Sequence, residues 1–444
     1  MGSDELTVQR ASVERLIADL LGYVDLGGVK LAAHDSPMWV PRLGWVLDVS
    51  MWDPVTYEGP QGDLLLLPAD ASEADLAQVG ERLARAIAAL AEPGAAVRSL
   101  QRPLGRTLGL PEVTYTSEMF DPTDADAARR AEALTTMTGR FDAVAERFRR
   151  VYGLELPRSM AVFTAFWTSL DDFERRGLSG LGLSPCGVSS YFDTDGLGYV
   201  GVDGLDERLE YRYRRDPPEF VTVMSGGTDG LHYGLWYDDP AEPPTFVASN
   251  YARDSAETGT DWSPTPLVEI SRVVEEATQS EHAYRSYGRG AVDERQRWRR
   301  LAVRRALQAF TEADVDAHMR QGLSQWINVS RPAIVGPLGP ALPPQAGDPR
   351  HGADQLRYEA YRVRSPLVHQ WIDQARRELA TGRPAFALVL GQELHWLDAD
   401  DYRTESLDLL VGAYRALGRD ALAEIALVHH THRDLPSVGV LAMP

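Results

Sequence analysis

The sequence predicts an α+β protein: a small N-terminal α/β unit, a central α/β domain built on an antiparallel sheet, and a C-terminal all-helical domain. Three observations predict it. Between Phe220 and Asn250, Val221, Val223, Tyr233, Leu235, Tyr237, Phe246 and Ala248 alternate with polar residues or glycine, the period of half-buried strands. After Pro264 the apolar residues recur at three- and four-residue spacing, the period of helices. Before residue 115 both periods occur within one short stretch, and 444 residues suffice for two or three domains with sizeable cores.

Residues 1–115 read as a helix over Val8–Tyr23, strands over Val29–Ala33, Gly44–Ser50 and Asp63–Leu67, and a second helix. In that helix Leu76, Val79, Leu83, Ile87 and Leu90 share a face, and Ser72 with Asp75 forms a capping-box start. Trp45 and Trp52 are read as core or sheet residues, since large aromatics are mostly buried.

Residues 120–275 form the predicted sheet domain. A helix runs from Pro122 to Tyr152, and Leu156-Pro157-Arg158-Ser159 leads into an aromatic helix over Met160–Leu170. Ser225–Gly230 joins two strands and lacks the lysine of a phosphate-cradling loop, so it is read as a hairpin turn. Residues 276–444 then supply Leu301–Phe310, a Pro/Gly-rich connection over Pro332–Pro349 that no helix can cross, and helices over Leu367–Ala380, Pro384–Trp396, Thr404–Leu417 and Asp420–Val428. Gly382 and Gly418 are the natural stops.

Composition narrows the function. Lys and Arg total 45 against 65 Asp and Glu, a formal charge of −20, which opposes broad binding to nucleic acid. Lys30 is the only lysine, and this use of arginine is read as the coding bias of a GC-rich, bacterial genome. Arg299, Arg300, Arg304 and Arg305 beside Trp298 are read as a solvated or salt-bridged helix face, with a local basic patch as the alternative. The single cysteine, Cys186, leaves no partner for an intramolecular disulfide and no cysteine-rich zinc site. With no long apolar run, neither export nor membrane spanning is indicated, and a cytoplasmic protein is expected. His429, His430 and His432 lack a matching carboxylate or thiol cluster and are read as incidental, as are Glu393 and His395, so no metal is expected. No motif of a self-sufficient enzyme is present.

Asp216-Pro217-Pro218-Glu219-Phe220 entering a strand, an aromatic strand ending in Asp238-Asp239-Pro240, and the closing segments Leu388–Leu394 and Leu409–Ile425 form an ordered set. With gaps from 151 to 428, that set resembles the histone PARylation factor family, here as a bacterial-type member. The resemblance implies a protein that docks on the catalytic domain of a poly(ADP-ribose) polymerase and inserts a glutamate that deprotonates a serine hydroxyl, redirecting ADP-ribose toward serine. It implies no directly bound cofactor, since NAD belongs to the partner ADP-ribosyltransferase. The matching carboxylate is Glu378, and Tyr361-Arg362 is similar to the family's Tyr-Arg contact with the polymerase. Three departures stand out: the family's Asp-Glu pair is here Arg377-Glu378, the turn between that helix and Leu388 is longer by a few residues, and the segment from Arg362 to Glu378 is much shorter than in the animal proteins.

Helical geometry puts Glu378 almost in line with Trp371 and near Leu367 and Ala375, at the margin of the apolar face. It also lies near a helix C-terminus, where the dipole disfavours an anion, and a base poised nearer neutrality accepts a hydroxyl proton more readily. The residues leave a second reading open, in which Glu378 reaches solvent or pairs with Arg383. A second function is open as well. A Leu-Pro entry to an aromatic helix followed by a sheet resembles SUKH-type domains, which implies a protein-interaction or immunity protein whose acidic surface meets a basic partner and in which Glu378 does no chemistry.

Overall fold

The computed structural model describes residues 3–34, 36–286, 294–349 and 354–444. The chain is α+β with a helical C-terminal region, and it divides into two compact units. The first comprises Met1–Pro122, Leu170–Gly177 and Tyr284–Arg305; the second comprises Thr123–Ser169, Leu178–Ala283 and Ala306–Pro444. No described helix is long and apolar enough to cross a membrane.

In the first unit the strand Gly44–Trp52 pairs antiparallel with Lys30–Ala33, Met38–Val40 and Gln61–Pro68. Its alternate residues serve two cores. Trp45, Leu47, Val49 and Met51 pack with the helix Glu73–Leu90, whose Ser72/Asp75 capping box is formed as expected, while Val46 packs with Met38, Val40, Tyr115, Phe173 and Ala302. A strand covered on both faces is buried almost along its whole length. Gly44 is required where it stands: its φ is +118°, and a Cβ there would meet the Leu67 carbonyl oxygen at 2.0 Å.

Register places Asp48 opposite Asp63, both buried. Two carboxylates side by side repel. Arg299 offsets this, with Nη2 2.9 Å from Asp48 Oδ2 and 3.1 Å from Asp63 Oδ1, and Arg295 Nη1 adds a contact of 2.7 Å to Asp48. Tyr115 donates its hydroxyl to Asp63 at 2.7 Å. Burial still pushes the Asp63 carboxyl upward, with Arg299 pulling the other way. Of the basic residues beside Trp298, Arg299 and Arg300 are thus buried, and Arg305 reaches Asp121 at 2.8 Å.

In the second unit the helix Asp124–Tyr152 opens with a Thr123/Asp126 capping box and closes on Gly153 at φ 68°. The helix Ser159–Ser169 is almost entirely buried, which accounts for its aromatic composition. Next comes an antiparallel sheet ordered Thr258–Gly259, Phe246–Tyr251, Leu231–Trp236, Phe220–Ser225, Ser184–Pro185. The two strands flanking Ser225–Gly230 pair as a hairpin. Cys186 lies against this sheet, its backbone N–H donating to Val223 O at 3.1 Å, and burial pushes its thiol far up.

Five helices follow the proline-rich connection: Asp354–Arg362, Leu367–Ala380, Ala385–Leu397, Arg403–Ala416 and Asp420–Thr431. The expected division into 1–115, 120–275 and 276–444 gives way to two units because the sheet and these helices share buried polar contacts, described below. The helix Pro266–Ser286 opens the stretch expected to be helical after Pro264, and Asp354–Arg362 is a helix not singled out in the sequence.

Removing the Arg299 guanidinium leaves two adjacent buried carboxylates underpaired. Arg299→Ala is therefore expected to cost about 3–5 kcal/mol of stability, read as a lower urea midpoint. A midpoint shift worth less than about 0.5 kcal/mol would show that the aspartates need no guanidinium.

Candidate functional site

Asp216-Pro217-Pro218-Glu219-Phe220 enters the strand Phe220–Ser225, and its polar side chains turn inward. Two prolines preset the backbone here. Arg212 fastens the turn, donating to Pro217 O at 3.0 Å and Phe220 O at 2.8 Å. Asp216 faces His232 of the neighbouring strand, with Nε2 3.0 and 3.1 Å from its two oxygens, and the other ring nitrogen lies 2.8 Å from Gly230 O. Both ring nitrogens therefore meet acceptors.

Glu219 is the deeper group. It is 1% exposed and accepts hydrogen bonds at Oε1 from Gln392 Nε2 at 2.7 Å and Tyr414 OH at 2.8 Å. Burial raises its pKa, with the Tyr414 hydrogen bond acting against this. Gln392 and Tyr414 come from the helices Ala385–Leu397 and Arg403–Ala416. One carboxylate thereby ties the sheet to two helices.

Nearby, His395 places Nε2 3.0 Å from Asp216 O, its ring centroid is 5.4 Å from that of His429, and Arg433 ion-pairs with Asp398 at 3.1 Å. Both histidines lie well below the ordinary imidazole range. Burial is the main cause, followed by Arg433 for His395 and by His395 for His429. They are core histidines in this fold.

Glu393, in an otherwise apolar run, receives Arg357 in a bidentate fork at 2.8 and 2.7 Å and Val335 N at 3.0 Å. Tyr361 donates its hydroxyl to the same carboxylate. Tyr361, expected to contact a partner, has a side chain 3% exposed and its hydroxyl engaged inside the protein. Its ring also packs edge-on against Trp371, centroids 6.3 Å apart, so Tyr361 braces the helix that carries Glu378. Arg362 next to it is exposed and forms a surface pair with Glu359 at 3.1 Å.

Glu378 occupies the last turn of Leu367–Ala380 and is 4% exposed, deeper than the margin position expected of it. Gln374 Nε2 donates to its Oε1, one turn earlier on the helix. Exposed Arg377, Thr381, Gly382 and Arg383 surround it in sequence, and Arg383 Nε reaches Thr381 Oγ1 at 3.3 Å. The polar cluster around Glu393 was missed by sequence reasoning. Its signal was present in the i, i+4 spacing of Arg357 and Tyr361 and in a lone acid among apolar residues.

Residues 146–261 match the family model of histone PARylation factor 1. A curated relative from Danio rerio, Histone PARylation factor 1, is 32% identical over 121 residues, which is 24% of this chain and 31% of the relative. The match thus spans about a third of that relative's length. It takes in the helix Ser159–Ser169 and the whole antiparallel sheet, including Asp216, Glu219 and His232. Tyr361, Arg362 and Glu378 lie beyond it.

The buried histidines give a testable pH response. Their pKa values are lower folded than unfolded, so their contribution to stability is full above the unfolded value of about 6.5 and is lost as pH falls below it. Stability is expected to drop by up to about 1.4 kcal/mol per pH unit for each histidine, measured as urea midpoints between pH 7 and 5. His429→Gln should halve their share of the slope. An unchanged slope would show that this histidine is protonated without cost in the folded protein.

Proposed function

We propose that this protein is an accessory factor for protein ADP-ribosylation, which docks on an ADP-ribosyltransferase and supplies Glu378 as the general base for serine modification. The observation that carries the reading is the match of the sheet region to the histone PARylation factor 1 model. The buried Asp216–Phe220 segment supports it, because the residues of that resemblance organise the core that carries the C-terminal helices. In this role Glu378 exchanges the Gln374 hydrogen bond for the incoming serine hydroxyl when the partner closes over the helix end, and Arg362 forks onto a carboxylate of the partner. NAD and its phosphates stay with the partner enzyme.

The burial of Glu378 favours a second reading, in which the chain is a protein-interaction or immunity protein without catalytic role. One experiment separates them. The purified protein is added to an ADP-ribosyltransferase encoded beside it, with NAD, and the modified residues are mapped by mass spectrometry. The first reading expects serine-linked product that falls by about a hundredfold or more in Glu378→Gln, and a partner affinity lowered about tenfold or more in Arg362→Ala. Binding with an unchanged product pattern supports the second reading, and product identical with and without the protein overturns the first.

A further inference from the structure

The first unit holds a cleft of about 250 Å³, lined by the apolar residues Ala86, Ala89, Leu90 and Ala95 and by Arg98, Arg102 and Arg106. Ser99 and Thr107 complete the lining, and no carboxylate takes part. The three arginines are exposed, and none forms an ion pair or a side-chain hydrogen bond with a described residue. In this chain, of formal charge −20, other arginines such as Arg147, Arg272, Arg299, Arg331 and Arg357 are taken up by acids.

Local structure holds the three together. Arg98 lies on the short helix Ala95–Ser99, Arg106 on Leu104–Leu108, and Arg102 in the turn between, its N–H donating to Ser99 O at 2.9 Å. Gly94 has a φ of +71°, and a Cβ there would stand 3.0 Å from Arg98 Nη1, so the glycine leaves room for the guanidinium to lie back over the loop. Ser99 Oγ and Thr107 Oγ1 donate to Ala95 O and Pro103 O at 3.0 and 3.1 Å, which leaves their lone pairs available as acceptors.

We propose that this cleft binds a pyrophosphate-bearing nucleotide of the nucleoside diphosphate class. Three exposed guanidiniums lining one cleft match the charge of two linked phosphates, and each offers a fork of donors to phosphate oxygens. The serine and threonine oxygens accept from sugar hydroxyls, and the alanine-lined wall, with Leu90, receives a flat base. This inference is independent of the function proposed above, since it uses no residue of the second unit.

The test is calorimetric titration of the full chain with ADP, inorganic pyrophosphate, adenosine and a single-stranded oligonucleotide, at low and at moderate salt. ADP and pyrophosphate are expected to bind and adenosine not, with affinity falling as salt rises. Arg98→Gln, Arg102→Gln and Arg106→Gln should each weaken ADP by about tenfold. The triple variant should abolish binding while keeping the wild-type melting temperature, because the replaced side chains are exposed and unpaired. No binding of ADP or pyrophosphate at millimolar concentration, or binding that survives in the triple variant, overturns the proposal. So does an oligonucleotide that binds more tightly than ADP at the same salt, which would mark a nucleic-acid surface instead.

Discussion

The second unit depends on the burial of Glu219. A carboxyl group removed from water is costly unless it finds donors, and here the two donors to Oε1 come from two helices more than 170 residues further along the chain, the separation from Gln392 being 173 and from Tyr414 195, while Oε2 has no hydrogen-bond partner among the described residues. Sheet and helices are thereby committed to one another. With either donor gone, the acid keeps its desolvation penalty and loses part of its compensation. The region matched by the histone PARylation factor 1 model ends at residue 261, so it does not contain the groups that satisfy its own buried acid.

Much of the architecture was legible because its elements carry local signals. The helix Leu367–Ala380 was read to the residue, since an apolar stripe and a following glycine mark both its face and its end. The three sheet strands follow from alternation. Met38–Val40 was not read because Pro37 and Pro41 bracket only three residues, too few to show a period. Of the long helix Glu294–Gln321, the apolar spacing showed Leu301–Phe310, while the arginines before it were read as a solvated or salt-bridged face although Arg299 and Arg300 are buried. Their burial is set by Asp48 and Asp63 in the case of Arg299, 251 and 236 positions away, a pairing no local pattern reveals.

The candidate site was legible in residue type and less so in exposure. Helical geometry put Glu378 at the edge of an apolar face, and packing draws it further in; Tyr361 and Arg362 are neighbours in sequence yet point to opposite fates, one buried on Glu393 and one exposed in a surface pair with Glu359. A helix separates adjacent side chains by 100°, so a two-residue motif seldom presents both members to the same partner. Here the tyrosine is buried against Glu393, and the arginine lies at the surface.

Cys186 has a practical consequence. It is the sole thiol, seated against the strand Phe220–Ser225 and held protonated by its apolar surroundings, a state in which it is a poor nucleophile. Alkylating reagents must wait for the sheet to open. Their reaction rate on the untouched wild-type chain thus clocks the breathing of the region that carries the family resemblance, with no engineered label.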